Sequence, residues 1–423
     1  VIRRLLTYAV LVGLLVAATV WLADRPGAVT IRWEGWRIDT TVPVLVLALL
    51  VLLAVFAASI RLVRAMIGGP GRFFAGRRVR RTQEGYRALS DGLAALAAGD
   101  SRQAKKLAHR ADRLLADSSL TGLLSAQTAD PAEAERHFTR LTERPETAFL
   151  GLKGLTDLAL KAGNRDQALG YARRAWALGG PAAGLAATLF DLQAQAGQWA
   201  EAEATLQDAK RRRVMGGADL LHRQALAALE RSFQAERAGE APAVALDHAL
   251  AAHRADPMLV AASVRAAALL HRAGKARKAV AVLSGTWEAN PHPDLVEALV
   301  ALAPMEPAID RVKRVEKLVR LVPDSGIGHA ALAEAALAAK LWGQARTHLE
   351  QAIAVRPSAG LFILMARLER EERSDEKAAQ DWLMKAATAP AEAAWTCRAC
   401  ARPADGWAAL CPSCGAVDSL DWV

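Results

Sequence analysis

The sequence predicts an all-α protein with three parts: a two-span transmembrane hairpin, a solenoid of repeated helix pairs, and a small C-terminal ribbon built on four cysteines. Three observations carry this reading. Two long apolar runs stand near the start, a glycine–alanine frame recurs about every 34 residues through the middle, and all four cysteines lie near the end as two Cys-x-x-Cys pairs. Apolar residues make up 52% of the 423, and aromatics only 5%. Alanine and leucine supply the bulk, which favours helices over sheets. A chain of this length needs more than one ordinary core.

Leu5 to Leu22 carries no charge and follows Arg3 and Arg4; Val42 to Ile60 is a second uncharged run. Each is long enough to cross a hydrocarbon core of about 30 Å. A cleaved signal peptide is the alternative for the first run. The length of the run, the second span close behind it, and Trp21 and Asp24 where a cleavage site wants small residues all favour two retained spans, about 5–22 and 42–60, within a membrane hairpin of residues 1–64. Between them Val29, Ile31 and Trp33 alternate with polar neighbours, and Glu34-Gly35 precedes Trp36 and Ile38. That pattern predicts a small β-hairpin with tryptophans at the membrane interface.

The formal charge of +10 raises the question of an anionic partner. Arg61, Arg64, Arg72, Arg77, Arg78, Arg80 and Arg81 form a block without an acid among them, and the loop between the spans is balanced. Arginine asymmetry therefore puts both termini and the repeats in the cytoplasm. The block Arg61–Arg81 begins where the second span ends, so anionic lipid headgroups are its expected partner and no nucleic acid is expected. Gly68-Gly69-Pro70-Gly71 should break any helix there, which makes residues 65–84 a basic joint between membrane and soluble part.

Residues 85–390 hold the repeats. Their turn positions are Gly99, Ala129, Gly163, Gly197, Glu240, Gly274, Glu306, Lys340 and Arg373. Five residues on lie Ala104, Ala134, Ala168, Ala202, Ala245, Ala279, Arg311, Ala345 and Ala378, with second alanines at Ala111, Ala175, Ala209, Ala252 and Ala352. Small side chains at this spacing share one helix face and let a neighbouring helix come close. Pro257, Pro291, Pro323, Pro357 and Pro390 each close one pair and open the next. The repeat between Gly197 and Glu240 is over-long, with the insertion expected around Lys210 to Gly217, where Lys210-Arg211-Arg212-Arg213 reads as a solvated loop. With Trp199 and Trp342 two residues after their turns and Gly92, Ala267, Ala333 and Ala366 seven before, the repeat resembles the tetratricopeptide repeat. Stacked pairs share a core and leave a concave surface that holds other proteins. No Gly-rich phosphate loop, GxSxG or HExxH occurs, and the nine histidines are scattered, so no enzyme activity is expected.

Residues 391–423 hold Cys397, Cys400, Cys411 and Cys414. Two Cys-x-x-Cys knuckles bring four thiolates to tetrahedral positions about 2.3 Å from a metal ion. Disulfides are disfavoured on the cytoplasmic side. Zinc is the expected ion and iron the alternative, since four thiolates suit both. Cys411-Pro412-Ser413-Cys414-Gly415 resembles a rubredoxin knuckle; the first knuckle departs from it, with Ala401 in the glycine place. Cys411-Pro412 also matches a pair seen in haem-responsive sites. So short a tail draws its folding energy from the metal, with Trp395, Trp407, Leu420 and Trp422 expected to cover the site.

The short-spaced spans, the Gly27-x-Val29-x-Ile31-x-Trp33 loop, the basic joint and the repeats together resemble the HemY family of bacterial inner-membrane proteins. The resemblance is strongest over Ala23 to Phe74. It implies a non-enzymatic scaffold in the bacterial inner membrane, two-pass, that organises late haem and porphyrin synthesis, with ferrochelatase and protoporphyrinogen-forming enzymes as partners. The four-cysteine ribbon resembles that of LapB, which implies as an alternative an adaptor controlling lipopolysaccharide synthesis. A metal- or haem-responsive regulator acting through the ribbon is a further alternative.

Overall fold

The structure is a computed structural model. It describes residues 27–423 except 116–118, 180–182 and 391, with a few isolated positions before 27. The first expected span, about 5–22, lies largely outside the described residues. The chain divides into two compact units, Val1–Ala129 and Asp130–Val423.

In the first unit, β1 (Ala28–Trp33) and β2 (Trp36–Thr41) pair antiparallel, with Ala28 opposite Thr41 and Ile31 opposite Ile38. Glu34 and Gly35 make the turn at φ of 44° and 86°. A two-residue hairpin turn needs positive φ at both places, and glycine supplies it without a Cβ clash. The sequence alternation thus forms the expected hairpin. Ile31, Ile38 and Trp36 all stand exposed, Trp36 by 80%.

α1 (Val42–Ala97) follows directly, with Pro43 in its first turn, where a missing N–H has no helical partner to lose. The 22-residue segment Val42–Val63 contains an 18-residue window of mean hydropathy 2.9, none of it buried among the described residues. At 1.5 Å per residue it reaches about 33 Å, enough to cross a bilayer core. The Ser59 hydroxyl donates to the carbonyls of Val55 and Phe56 at 3.0 and 2.8 Å, so the helix itself satisfies it. The break expected at Gly68–Gly71 does not occur: α1 runs through it to Ala97. Glycine costs roughly 1 kcal/mol and proline about 3 kcal/mol in a helix interior. Those penalties are local, and long helical flanks on both sides outlast them. One helix therefore joins the span to the first repeat.

The last turns of α1 pack on α2 (Ser101–Leu114) and α3 (Ser119–Thr128) around Ala88, Leu89, Ala108, Ala111, Leu115 and Leu124. Gly85 and Gly92 make this possible. A Cβ on Gly85 would come within 2.4 Å of Leu115, and one on Gly92 within 2.7 Å of Leu124.

The second unit opens with α4 (Pro131–Thr142). Helix pairs follow: α5 (Ala148–Lys161) with α6 (Arg165–Ala177), α7 (Ala183–Gln195) with α8 (Trp199–Arg211), and α9 (Gly217–Arg237) with α10 (Pro242–Ala255). Next come α11 (Val260–Arg272) with α12 (Ala276–Ala289), α13 (Pro293–Ala301) with α14 (Ala308–Val319), α15 (Gly326–Ala338) with α16 (Trp342–Val355), and α17 (Ala359–Arg373) with α18 (Glu376–Ala387). The five expected prolines lie between pairs or just past the last.

The alanine frame has a physical position: the fourth residue of the helix after each turn. Ala104, Ala134, Ala168, Ala202, Ala245, Ala279, Ala345 and Ala379 occupy it, each no more than 3% exposed. The last repeat corrects the expected frame by one residue. Its left-handed turn residue is Ser374, not Arg373, so Ala379 is fully buried and Ala378 only half-buried. In the fifth-from-last turn, Gly239 rather than Glu240 takes the positive φ. Arg311 holds the alanine place in α14, and the next residue, Val312, is buried instead.

The over-long repeat also differs from expectation. Its extra residues lengthen α9 to 21, against 13 or 14 in α5 to α8. Lys210 and Arg211 end α8 and, like Arg212 and Arg213 in the turn after it, are exposed as expected; Arg212 is also held in place. It pairs with Asp208 at 2.7 Å, donates to the Trp176 carbonyl at 3.1 Å and lies 4.5 Å over the Trp176 ring.

The core of the later pairs centres on Trp287, Leu283, Leu295 and Leu299, all essentially inaccessible. Some buried polar groups are paired within a helix pair and others between successive pairs. Ser263 and Thr286 share a hydroxyl contact of 2.6 Å, and Arg265, 7% exposed, holds Ser232 and Glu236.

Candidate metal centre

Residues 395–422 fold as a three-stranded ribbon ordered β4-β3-β5, from β3 (Trp395–Cys397), β4 (Pro403–Ala404) and β5 (Leu420–Trp422). Each cysteine pair sits in a tight backbone knuckle. Ala401 N–H donates to the Cys397 carbonyl and Gly415 N–H to the Cys411 carbonyl, each at 2.8 Å. Both closing residues are left-handed, Ala401 at φ 55° and Gly415 at φ 71°. The first knuckle thus keeps the rubredoxin-like geometry although alanine replaces glycine.

The knuckles bring all four cysteines together. Their Sγ atoms lie within 4.8 Å of one another, with Cys397–Cys414 at 3.8 Å and Cys400–Cys411 at 3.9 Å. A tetrahedron of sulfurs about 2.3 Å from its centre has edges of about 3.8 Å. The residues therefore fit one ion, and the geometry does not discriminate zinc from iron. The four are free thiols. The hydrogen-bond contact between Cys397 Sγ and Ser419 Oγ, at 3.2 Å, is the main reason the Cys397 thiol is pulled down to about 6. Cys414 accepts from the Ala416 N–H, but burial and the three neighbouring sulfurs outweigh this and push it up to about 11. Crowded thiolates repel, so the last proton leaves with difficulty unless a cation replaces it.

The ribbon has little core of its own: Cys397, Cys411 and Leu420, flanked by Trp395, Ala404 and Ala408. Trp395 and Leu420 lie against the cysteines as expected, but Trp407 and Trp422 do not. Trp407 packs with Ala409, Leu410 and Val417 on Phe190, Trp199, Leu220 and Leu259 of the helix array. Trp395 and Trp422 hold the His292 ring between them, at centroid distances of 5.1 and 4.8 Å. His292, 4% exposed, is a contact that sequence reading missed, because a histidine opening a helix after Pro291 carries no local sign of a distant tryptophan pair.

Polar contacts complete the seat. His222 on α9 bridges Asp256 at 2.6 Å and Asp418 of the ribbon at 3.0 Å. The bond to Asp418, then that to Asp256, lifts the imidazole to about 9 against the opposing effect of burial. Arg165, at the start of α6, donates to the Cys414 carbonyl at 3.2 Å.

A model of the HemY protein N-terminus matches residues 27–148. Mms48 of Magnetospirillum gryphiswaldense, described as a probable magnetosome protein, is 30% identical over 424 residues, spanning 99% of this chain and 93% of that protein. The chain belongs to the HemY family. Its matched region takes in the β-hairpin, the exposed apolar segment of α1 and the first repeat helices, and makes this HemY-family chain a membrane-associated protein with a repeat array suited to binding other proteins. The ribbon lies beyond that region. Among solved structures, a tetratricopeptide repeat protein from Parabacteroides merdae is 16% identical over 57% of this chain and 93% of that one, with a TM-score of 0.30. MamA from residue 41 onward, of Desulfovibrio magneticus RS-1, is 16% identical over 39% and 94%, with a TM-score of 0.27. The repeat assignment rests on the helix pairs themselves and not on these superpositions.

Proposed function

We propose that this protein is a non-enzymatic, membrane-anchored adaptor whose repeats, residues 85–390, gather other proteins at the cytoplasmic face of a bacterial inner membrane. The observation that carries the reading is the direct continuation of the apolar span into the first repeat through α1. A span fused to a helix-pair array holds whatever the array binds at the membrane surface. In this reading both spans are retained, residues 1–64 form the membrane hairpin, and the Arg61–Arg81 block sits against anionic headgroups.

The family match supports late haem and porphyrin synthesis as the setting, with ferrochelatase among the client enzymes. The full-length similarity to Mms48 favours a second setting, in which the clients belong to a magnetosome membrane. Deleting the gene separates the two. Accumulated porphyrin precursors are expected for the first; normal porphyrins with disturbed magnetosomes would replace it with the second.

In the ribbon, residues 391–423, Cys397, Cys400, Cys411 and Cys414 hold one zinc ion. The tetrahedral sulfur edges support this. With four thiolates there is no open coordination position, so the ion acts as a folding element and not as a Lewis acid. Elemental analysis of the purified chain is expected to give one zinc per chain, lost in Cys397→Ser/Cys411→Ser; unchanged metal content in that variant would sink the assignment.

A further inference from the structure

A solenoid normally leaves one face open, because each repeat touches only its neighbours in sequence. Here the ribbon covers part of the array. The ribbon lies on the starts of the first helices of successive pairs: His222 near the start of α9, Leu259 and Val260 where α11 begins, and His292 capping α13. At either end its contacts reach further. Arg165, two pairs before α9, holds the Cys414 carbonyl, and the Glu392 carboxylate lies so close over Gly360 in α17 that a Cβ there would come within 1.9 Å of it.

We infer that the four-cysteine ribbon is a resident occupant of the array's binding face, and that metal loading decides whether this face is closed. The ribbon buries three side chains of its own, Cys397, Cys411 and Leu420, two of them metal ligands. Such a fold does not survive loss of its ion. Its docking groups are spread along that same fold: Trp395 and Trp422 on paired strands β3 and β5, Trp407 and Ala409 before the second knuckle, and Asp418 just after it. They reach His292, the α9–α11 core and His222 together only while the knuckles are held in register. Stripping the ion therefore releases all of these contacts as one event and uncovers Leu220, Leu259 and the His292 ring. A partner that docks on this face competes with the ribbon, and metal loss removes the competitor.

This inference rests on the adaptor and zinc readings above, and its test separates their failure from its own. The full chain in detergent is followed by hydrogen–deuterium exchange before and after a zinc chelator, and again after zinc is restored, with metal content measured at each stage. The inference predicts that chelation speeds exchange at least tenfold in residues 217–224, 258–264 and 291–296 as well as in the ribbon, and that zinc restores protection. A second variant, His222→Ala/Trp422→Ala, keeps its metal and shows the same fast exchange on the array. Faster exchange confined to residues 395–422 overturns the inference while leaving the zinc site intact. A chain that carries no metal at any stage overturns the zinc reading and this inference with it. Capture experiments on the adaptor role are independent of all three results.

Discussion

Lys340 stands where Gly99, Gly163, Gly197 and Gly274 stand in other repeats, and like them it is left-handed, at φ 58°. An L-residue there is disfavoured by roughly 1–2 kcal/mol. Lys340→Gly should raise the free energy of unfolding by about 1 kcal/mol, read from denaturant melts, while Gly163→Ala should lower it by a similar amount. Ala401, at φ 55° in the first knuckle, carries the same strain. Ala401→Gly should tighten zinc retention against a competing chelator. His222 makes a prediction with a sign. Its pKa of about 9 in the folded chain exceeds the ordinary 6.5. Its contribution to ribbon docking is fully present below pH 6.5 and fades as pH rises through about 9. Protection of the α9 start should decline over that window, and His222→Gln should abolish the decline. The turn and knuckle residues were legible in the sequence because their roles are local. His222, His292 and Arg212 were not, because each acts on a partner dozens to hundreds of residues away.

The helices are set by small residues at fixed places. Ala202, fully buried at the fourth position of α8, leaves no room for a longer side chain. Ala202→Leu should destabilise the array by about 1–3 kcal/mol, measured as a lower midpoint in thermal melts. This frame was readable from spacing alone; the structure moves the left-handed residue to Gly239 and to Ser374, and buries Val312 next to Arg311. Two element-scale expectations failed. At Gly68–Gly71, where local composition predicts a break, the helix continues; in the over-long repeat, marked by its spacing, the extra residues lengthen α9 and leave only a short turn between α8 and α9. In α1 the apolar segment Val42–Val63 is not buried against any of the described residues. Leu52→Arg places a charge near its centre, at roughly 3 kcal/mol. The chain should then shift from the membrane to the soluble fraction on centrifugation; unchanged membrane retention would remove α1 as the anchor.

At the scale of the molecule, an exposed apolar span, a helix-pair array and a ribbon seated on that array form one sequence-continuous chain. The array and the four cysteines could be read from the residues; the seating could not. It depends on Trp407, which turns to the helix-array core, on Trp422, which meets His292, and on Trp395, which packs on the cysteines as expected and also meets His292. The central claim is that the array, held at the membrane, gathers other proteins. The most direct measurement is quantitative affinity capture from solubilised membranes with the full chain, against a control that ends at Ala97 and keeps only the hairpin and α1. The account predicts a defined set of proteins enriched by the full chain and absent from the control. Identical captured sets from the two would contradict it.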